Sequence, residues 1–293
     1  MSVPMTRDEA QRIIQKAIGM SKAENIDVQL NASVVGNTRF AANQLSTAGV
    51  IEGTTFVVQS HFGPKHAVIT TDDLSDASIA RAVSQSEAMA KLAPDDPEAM
   101  PPLTSQTYTP VSAYNEGTAS LSPAERAKAA LSALEPSRKA GVMASGFIVT
   151  GANVNAIGNK QGMFAYHMST SANYTLTVRT ADGKGSGWAA GDDHDWNKID
   201  YKLISQRAVA KAQGSASAVA IEPGRYTVIL EPQAVGDLVQ LMVGYIDARS
   251  ADEGRSPFVK QGGGNKIGEK ITDTRVTLFS DPSDSQLAGQ PFD

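Results

Sequence analysis

A regular alternation of apolar and polar residues near the N-terminus limits the folds open to this chain. Every second position from 26 to 34 is apolar, and these positions are Ile26, Val28, Leu30, Ala32 and Val34. Such alternation is typical of a strand with one buried face. Gly36-Asn37 predicts a turn after this strand, and further strands are predicted around residues 50–60 and 66–71. Because the connections are too short for parallel crossovers, the sequence predicts an antiparallel sheet.

Helices are predicted before and after these strands. Thr6 to Glu9 forms a T-x-x-E capping box, which predicts the start of a first helix. A second helix is predicted from Asp72 or Asp73 to about Leu92. Ser122 to Glu125 is another capping box, with proline at the first helical position, and predicts a third helix. Pro136 should kink or end that helix, because proline cannot continue the ladder of hydrogen bonds.

After residue 142 the pattern changes from helix to strand. Residues 142–180 predict a meander of strands and turns, and an alternating set on one of its faces is Tyr174, Leu176 and Val178. Residues 181–191 are rich in glycine and predict a loop. A further helix is predicted from Ile199 to Gln213.

A strand-to-helix unit organises the C-terminal part of the chain. Tyr226 to Leu230 predicts a strand that runs into a helix, with Glu231-Pro232 at the junction. Apolar residues recur there at helical spacing, namely Val235, Leu238, Val239, Met242 and Ile246. The helix is therefore expected to be buried on much of its circumference. Arg275 to Phe279 predicts a last strand.

These elements together predict an α+β fold. The expected division is a helix-and-antiparallel-sheet domain over residues 1–215 and a second domain that starts within residues 216–293. The second stretch offers little material for an independent core. We therefore expect the second domain to be truncated in this chain.

Composition excludes several classes of function. The net charge is −5 and no cluster of Lys or Arg is evident, so no nucleic-acid partner is expected. The chain has no cysteine, which excludes disulfides, zinc thiolates and a thiol nucleophile in this chain and fits a cytoplasmic location. Neither a signal peptide nor an apolar stretch long enough to span a membrane is evident.

The histidines do not form a recognisable metal motif. None of the 4 pairs with another at the helical spacing that builds a zinc site. His61 and His66 could be a metal pair, but ordinary polar residues of a strand and a turn are the favoured interpretation. His167 is expected on the face of a strand.

The densest group of carboxylates and imidazole is Asp192, Asp193, His194 and Asp195. In a mobile loop such a group could bind a divalent cation or a substrate amine. The alternative, a solvated acidic loop, is favoured. No metal site is assigned in this chain.

Four segments, in this order along the chain, resemble the TldD/PmbA family, also called the modulator of gyrase family. They are residues 37–44 (NTRFAANQ), the meander around Tyr166 with the loop Gly183 to Trp188, residues 226–232 (YTVILEP) with their helix, and residues 287–293 (LAGQPFD). The resemblance implies an α+β fold with an N-terminal helix-and-sheet domain and a mainly β C-terminal domain. In that family the chain continues beyond P-F-D.

The resemblance also implies where zinc chemistry would lie. Catalytic members look like zinc metallopeptidases with H-E-x-x-x-H on the helix after the strand, where two imidazoles hold zinc and the glutamate acts as general base. The equivalent positions here are Gln240, Leu241 and Tyr245. An amide, an alkyl group and a phenol do not replace those groups. The chain therefore resembles the PmbA/TldE branch, whose members pair with a TldD-type subunit that carries the motif.

The first hypothesis for function is an accessory subunit of a peptidase that acts with a TldD-like partner or as a homo-oligomer. Its substrate would be a peptide, and zinc would be held by the partner rather than by this chain. The alternatives are a self-sufficient hydrolase with a non-standard site, such as Asp192 to Asp195, and a non-enzymatic peptide-binding module.

Overall fold

The structure is a computed structural model that describes residues 3–292. The strands are β1 (Asn25–Ala41), β2 (Gln44–Phe62), β3 (Lys65–Thr71), β4 (Met143–Asn159), β5 (Phe164–Arg179) and β6 (Ser186–Asp193). The helices are α1 (Arg7–Met20), α2 (Asp76–Leu92), α3 (Glu116–Ala119), α4 (Pro123–Lys139), α5 (Tyr201–Gly214), α6 (Pro232–Val243) and α7 (Ala248–Asp252). Trp196–Lys198 forms a 3₁₀ turn.

The strands form one six-stranded sheet in the order β3-β2-β1-β4-β5-β6. Every pairing in it is antiparallel, and the predicted α+β fold with an antiparallel sheet is confirmed. The inner strands are long, since β1 pairs with β4 from Asp27 to Phe40.

One face of the sheet carries the core. Helices α1 and α2 pack over one half of this face, around Ile26, Leu30 and Phe56. Helices α4 and α5 pack over the other half, around Phe40, Ile148 and Tyr174. The alternation predicted for β1 and β5 is confirmed, because Ile26, Leu30, Tyr174, Leu176 and Val178 are all buried. The opposite face is half exposed along β1, β4 and β5.

The helix starts agree with their capping signals. The Thr6 side chain accepts from the Glu9 N–H and Glu9 accepts from the Thr6 N–H, which completes the predicted box of α1. The same reciprocal pair joins Ser122 and Glu125 at the start of α4. Helix α4 runs on through Pro136 to Lys139, so of the two predicted effects of this proline the ending is wrong and the kink stays a prediction. Pro136 lies in the last turn, where its carbonyl still accepts from the Ala140 N–H at 3.0 Å.

The predicted turn at Gly36-Asn37 is wrong, because β1 continues to Ala41. The hairpin turns instead at Ala42 and Asn43, which have φ angles of 47° and 61°. Gly36 serves packing: a Cβ on it would lie 2.4 Å from Nη1 of the buried Arg126.

The glycine-rich loop predicted for residues 181–191 is also wrong in its second half, which is strand β6. Glycine lets β6 approach α5 closely, since a Cβ on Gly187 would lie 2.1 Å from the Ala208 carbonyl oxygen. The helix predicted from Ile199 to Gln213 is present as α5.

The described chain forms two compact units. The first contains the sheet and extends to Ala218, with the segment from Asp281 onward packed on it, and the second is Val219–Ser280. No helix of the described residues is long and apolar enough to cross a membrane.

The second unit differs from its sequence-based prediction. Helix α6 is present as predicted, but the strands predicted at Tyr226–Leu230 and Arg275–Phe279 are not formed. The predicted burial of α6 is wrong, because none of its residues is buried. Its apolar residues Leu238 and Leu241 are exposed, and Val239 and Met242 are only partly buried.

Candidate functional site

Helix α6 and the residue after its cap carry the positions at which the family resemblance implies zinc chemistry. Pro232 occupies its first turn, and Gly244 caps its end by donating to the Gln240 carbonyl at 3.0 Å. Gln240 and Leu241 therefore lie in the last turn, and Tyr245 follows the cap. All three side chains are exposed, Leu241 by 63% and Tyr245 by 54%.

The chain turns sharply after Tyr245. The hydroxyl of the buried Ser256 donates to the Tyr245 carbonyl at 2.6 Å. Asp247 then starts α7 by accepting from the Ser250 N–H at 2.7 Å. These contacts fix the backbone after the last turn of α6.

The acidic segment from Asp192 to Asp195 is used for structure. Asp193 accepts from the Asp195 N–H at 2.8 Å and lies 3.4 Å from the Lys198 ammonium. Asp195 in turn starts the 3₁₀ turn by accepting from the Asn197 N–H. Burial alone would raise the pKa of Asp193, but the Asp195 N–H and Lys198 hold it below its ordinary value.

His194 holds two parts of the first unit together. Its Nδ1 lies 2.5 Å from the Thr170 carbonyl oxygen, and its Nε2 lies 2.8 Å from the Ala288 carbonyl oxygen. Both ring nitrogens are therefore occupied by contacts to backbone carbonyl groups. His194 thus joins β5 to the segment after Asp281, a role that nothing in its local sequence indicates.

His61 and His66 face each other across the pair of β2 and β3, with ring centroids 5.8 Å apart. His61 Nε2 lies 2.9 Å from Asp27 and His66 Nδ1 lies 3.8 Å from Asp96. His167 is buried in β5, where burial and the neighbouring His194 charge lower its pKa. Over residues 3–292, no group of three His, Cys, Asp or Glu side chains is arranged to hold a metal ion.

Two family models match the chain, and together they span most of its second half and part of its first. The PmbA/TldA metallopeptidase central domain matches residues 114–216, and the PmbA/TldA metallopeptidase C-terminal domain matches residues 223–293. The chain belongs to the PmbA/TldD family. The C-terminal match, over residues 223–293, contains helix α6.

Solved structures share the fold of this PmbA/TldD family member. TldE from Thermococcus kodakarensis is 16% identical with a TM-score of 0.61, over 69% of this chain and 47% of that one. A proposed modulator of DNA gyrase from Thermotoga maritima is 16% identical with a TM-score of 0.75, over 85% of this chain and 58% of that one. A similar protein from Bacteroides thetaiotaomicron is 13% identical with a TM-score of 0.68, over 85% of this chain and 59% of that one.

At such identities these structures show the fold alone. The chain spans about half the length of these structural relatives, from 47% to 59%. No curated protein matches the chain significantly in sequence.

The family description implies a metal, and zinc, which the resemblance suggests, does not fit the described residues of α6. Gln240 offers a neutral amide, Leu241 offers no donor atom, and Tyr245 offers a phenol that binds zinc only once deprotonated. No step of zinc chemistry is assigned to this helix.

The sheet has an open edge that the sequence pattern does not predict. Strand β3 pairs with β2 only from Phe56 to Phe62, so the outer edge of residues 44–55 pairs with no other described strand. Ile51, in the middle of this edge, is 63% exposed. The alternation that predicts strands says nothing about the length of a neighbour, so the signal for a free edge was absent.

Proposed function

We propose that the chain is an accessory, PmbA/TldE-like subunit of a TldD/PmbA-type peptidase, without a zinc site of its own. The main support is the region of α6, which lies in the matched C-terminal domain. Gln240, Leu241 and Tyr245 stand there at the positions where catalytic members would need His, Glu and His. The TldE structure shares the fold, which is compatible with this proposal. The partner is a TldD-like subunit, which supplies zinc and the general base.

The exposed helix α6 supports two further parts of the proposal. Its apolar side chains would be stable in water only when covered, because isolated apolar patches of this kind mark contact surfaces. We propose that residues 216–293 are the start of a larger, mainly β domain that covers this helix. The complex would act in the cytoplasm, since a chain without cysteine gains nothing from an oxidising compartment.

The free edge of β2 would present the peptide substrate. Residues 44–55 leave a row of outward N–H and C=O groups unpaired within the described chain, as strand addition requires. Because these are main-chain groups, the edge would accept many peptide sequences.

The test is co-expression of this chain with a family member that carries H-E-x-x-x-H, followed by co-purification and cleavage of an unfolded peptide. We expect a heteromer that cleaves faster than the motif-bearing subunit alone. Ile51→Lys should weaken peptide binding to the heteromer, since a charge on a free edge disfavours pairing. Leu203→Lys on α5 is the control, because Leu203 is also exposed and lies outside the edge. Failure to form a heteromer, with unchanged cleavage by the partner, would refute the proposal.

A further inference from the structure

A cavity of about 730 Å³ lies beside the first half of β5. Strand β6 pairs only with the second half of β5, and the segment of residues 106–114 runs beside the first half as the other wall of the cavity. The Thr170 N–H donates to the Ala113 carbonyl at 2.8 Å, and the Tyr108 ring packs against Phe292 with centroids 5.3 Å apart. These contacts fix the wall, so the cavity is a built feature of the first unit.

The charge in the lining of this cavity is positive. Arg7, at the start of α1, is the only described side chain of the lining with a permanent charge, and no described Asp or Glu lines the cavity. The Arg7 guanidinium lies over the Phe164 ring, 5.0 Å from its centroid, and forms no ion pair with the described residues. In a chain with a net charge of −5, a lining with a guanidinium and without a carboxylate favours an anionic ligand.

Aromatic rings form much of the remaining lining. They are Tyr108, Tyr114, Phe164, Tyr166 and Phe292. The three tyrosine hydroxyls already have acceptors, which are Met163 Sδ, the Glu116 carboxylate and the Met5 carbonyl, in the order of the tyrosines. The rings therefore offer apolar surface to a ligand, and such a surface suits a ligand with an aromatic body.

His167 gives an independent sign that a polar partner is missing. It is only 6% exposed, and it lines the cavity. Neither of its ring nitrogens forms a hydrogen bond with the described residues, and neither is cut off from solvent. Burial, aided by the charge of His194, lowers the pKa of His167, so the neutral ring offers one donor and one acceptor. Because buried polar groups are normally hydrogen-bonded, a ligand that reaches this ring would supply the missing partner.

We infer that this cavity binds an aromatic carboxylate that carries a polar substituent. The carboxylate pairs with the Arg7 guanidinium, the ligand ring lies against the aromatic lining, and the substituent bonds to His167. Two sources offer this chemistry, a free aromatic acid and the C-terminal tyrosine of a peptide. Binding needs neither a partner subunit nor zinc, so it can be tested independently of the proposed peptidase function.

Calorimetric titration of the full chain tests this inference. Para-hydroxyphenylpropionate represents a free acid, and acetyl-Gly-Gly-Tyr with a free carboxylate represents the end of a peptide. Tyramine keeps the phenol but carries a cation, whereas phenylpropionate and acetyl-Gly-Gly-Phe lack only the hydroxyl. We expect at least one hydroxylated acid to bind, its phenyl counterpart to bind more weakly, and tyramine not to bind. Binding of only one hydroxylated acid identifies its source, and binding of both shows that the cavity accepts either.

Two pairs of variants separate the effect of charge from folding. Arg7→Gln should weaken binding of the acids about tenfold or more, because a charge-assisted contact is lost. Arg12→Gln is the matched control, since Arg12 is also exposed on α1 and lies outside the cavity. Thr109→Glu should weaken binding by repulsion, with Thr104→Glu as its control. Both threonines are exposed on the same segment, and only Thr109 lines the cavity.

The inference is overturned if neither hydroxylated acid binds at millimolar concentration, or if tyramine binds as tightly as the acids. It is equally overturned if Arg7→Gln or Thr109→Glu binds the acids as tightly as its control does. Equal binding of a hydroxylated acid and its phenyl counterpart would contradict the contact with His167 and thereby the inference as stated.

Discussion

At the scale of the residue, His194 shows how a side chain in a suspected ion site can act as a tether. Its two ring nitrogens contact the carbonyl oxygens of Thr170 and Ala288, which are far apart in the sequence. A metal ligand would need a free nitrogen, and His194 has none left. The dense acidic sequence around it does not indicate this contact, and the ion or substrate loop stays an untested prediction.

Replacing His194 should loosen the segment after Asp281. His194→Ala removes the contact to Ala288, and the local opening of this segment should become about two- to tenfold more frequent, since a hydrogen bond contributes about 0.5–1.5 kcal/mol. Limited proteolysis within residues 281–292 measures this opening. His66→Ala is the control, because His66 lies on β3 and has no contact with the segment. Equal cleavage rates for both variants would contradict the role given to His194.

His167 should make the protein sensitive to acid. Burial, aided by the charge of His194, holds its pKa below the ordinary value of 6.5. Below pH 6.5 the unfolded chain therefore takes up a proton more readily than the folded one, and the free energy of unfolding falls as the pH decreases. His167→Gln should flatten this decrease, as measured by urea unfolding at a series of pH values. Parallel curves for the variant and the parent chain would show that His167 is not responsible.

At the scale of the element, β6 and α5 illustrate what glycine can mean in a sequence. The residues GKGSG suggested a loop, yet Gly185 and Gly187 let the strand approach the helix. A glycine that opens a turn and a glycine that admits a neighbouring backbone look the same in one sequence. Capping boxes carry a more specific signal, because two residue types at fixed spacing satisfy each other, and both predicted boxes are present.

The close packing of β6 can be tested by adding one methyl group. Gly187→Ala would place Cβ 2.1 Å from the Ala208 carbonyl oxygen and 2.6 Å from the Ala212 nitrogen, both of them backbone atoms. We expect a loss of about 1–3 kcal/mol in the free energy of unfolding, as for other overpacked sites. Gly19→Ala is the control, since its Cβ would meet nothing within 4 Å in α1. A Gly187→Ala protein as stable as the parent chain would contradict the packing argument.

At the scale of the whole molecule, the sequence predicted the sheet better than it predicted the second unit. The sheet was predictable because alternation and short connections report on contacts that the chain makes with itself. Helix α6 has the periodicity of a buried helix, but within Val219–Ser280 no element covers it. Helical periodicity indicates that one face of a helix is apolar, but it does not indicate which element packs against that face.

The candidate site also has one part that the sequence predicted and one part that only the structure shows. The positions of Gln240, Leu241 and Tyr245 could be assigned from the family resemblance, whereas the free edge of β2 depends on the length of β3 and needed the structure.

The zinc content of a purified heteromer tests the central claim most directly. After co-expression with a motif-bearing family member, native mass spectrometry should show both subunits and zinc in proportion to the motif-bearing subunit alone. Gln240→Ala and Tyr245→Ala in this chain should leave the zinc content unchanged, while loss of the first motif histidine in the partner should remove it. Zinc bound to this chain in the absence of a partner, and lost on replacing Gln240 or Tyr245, would contradict the account.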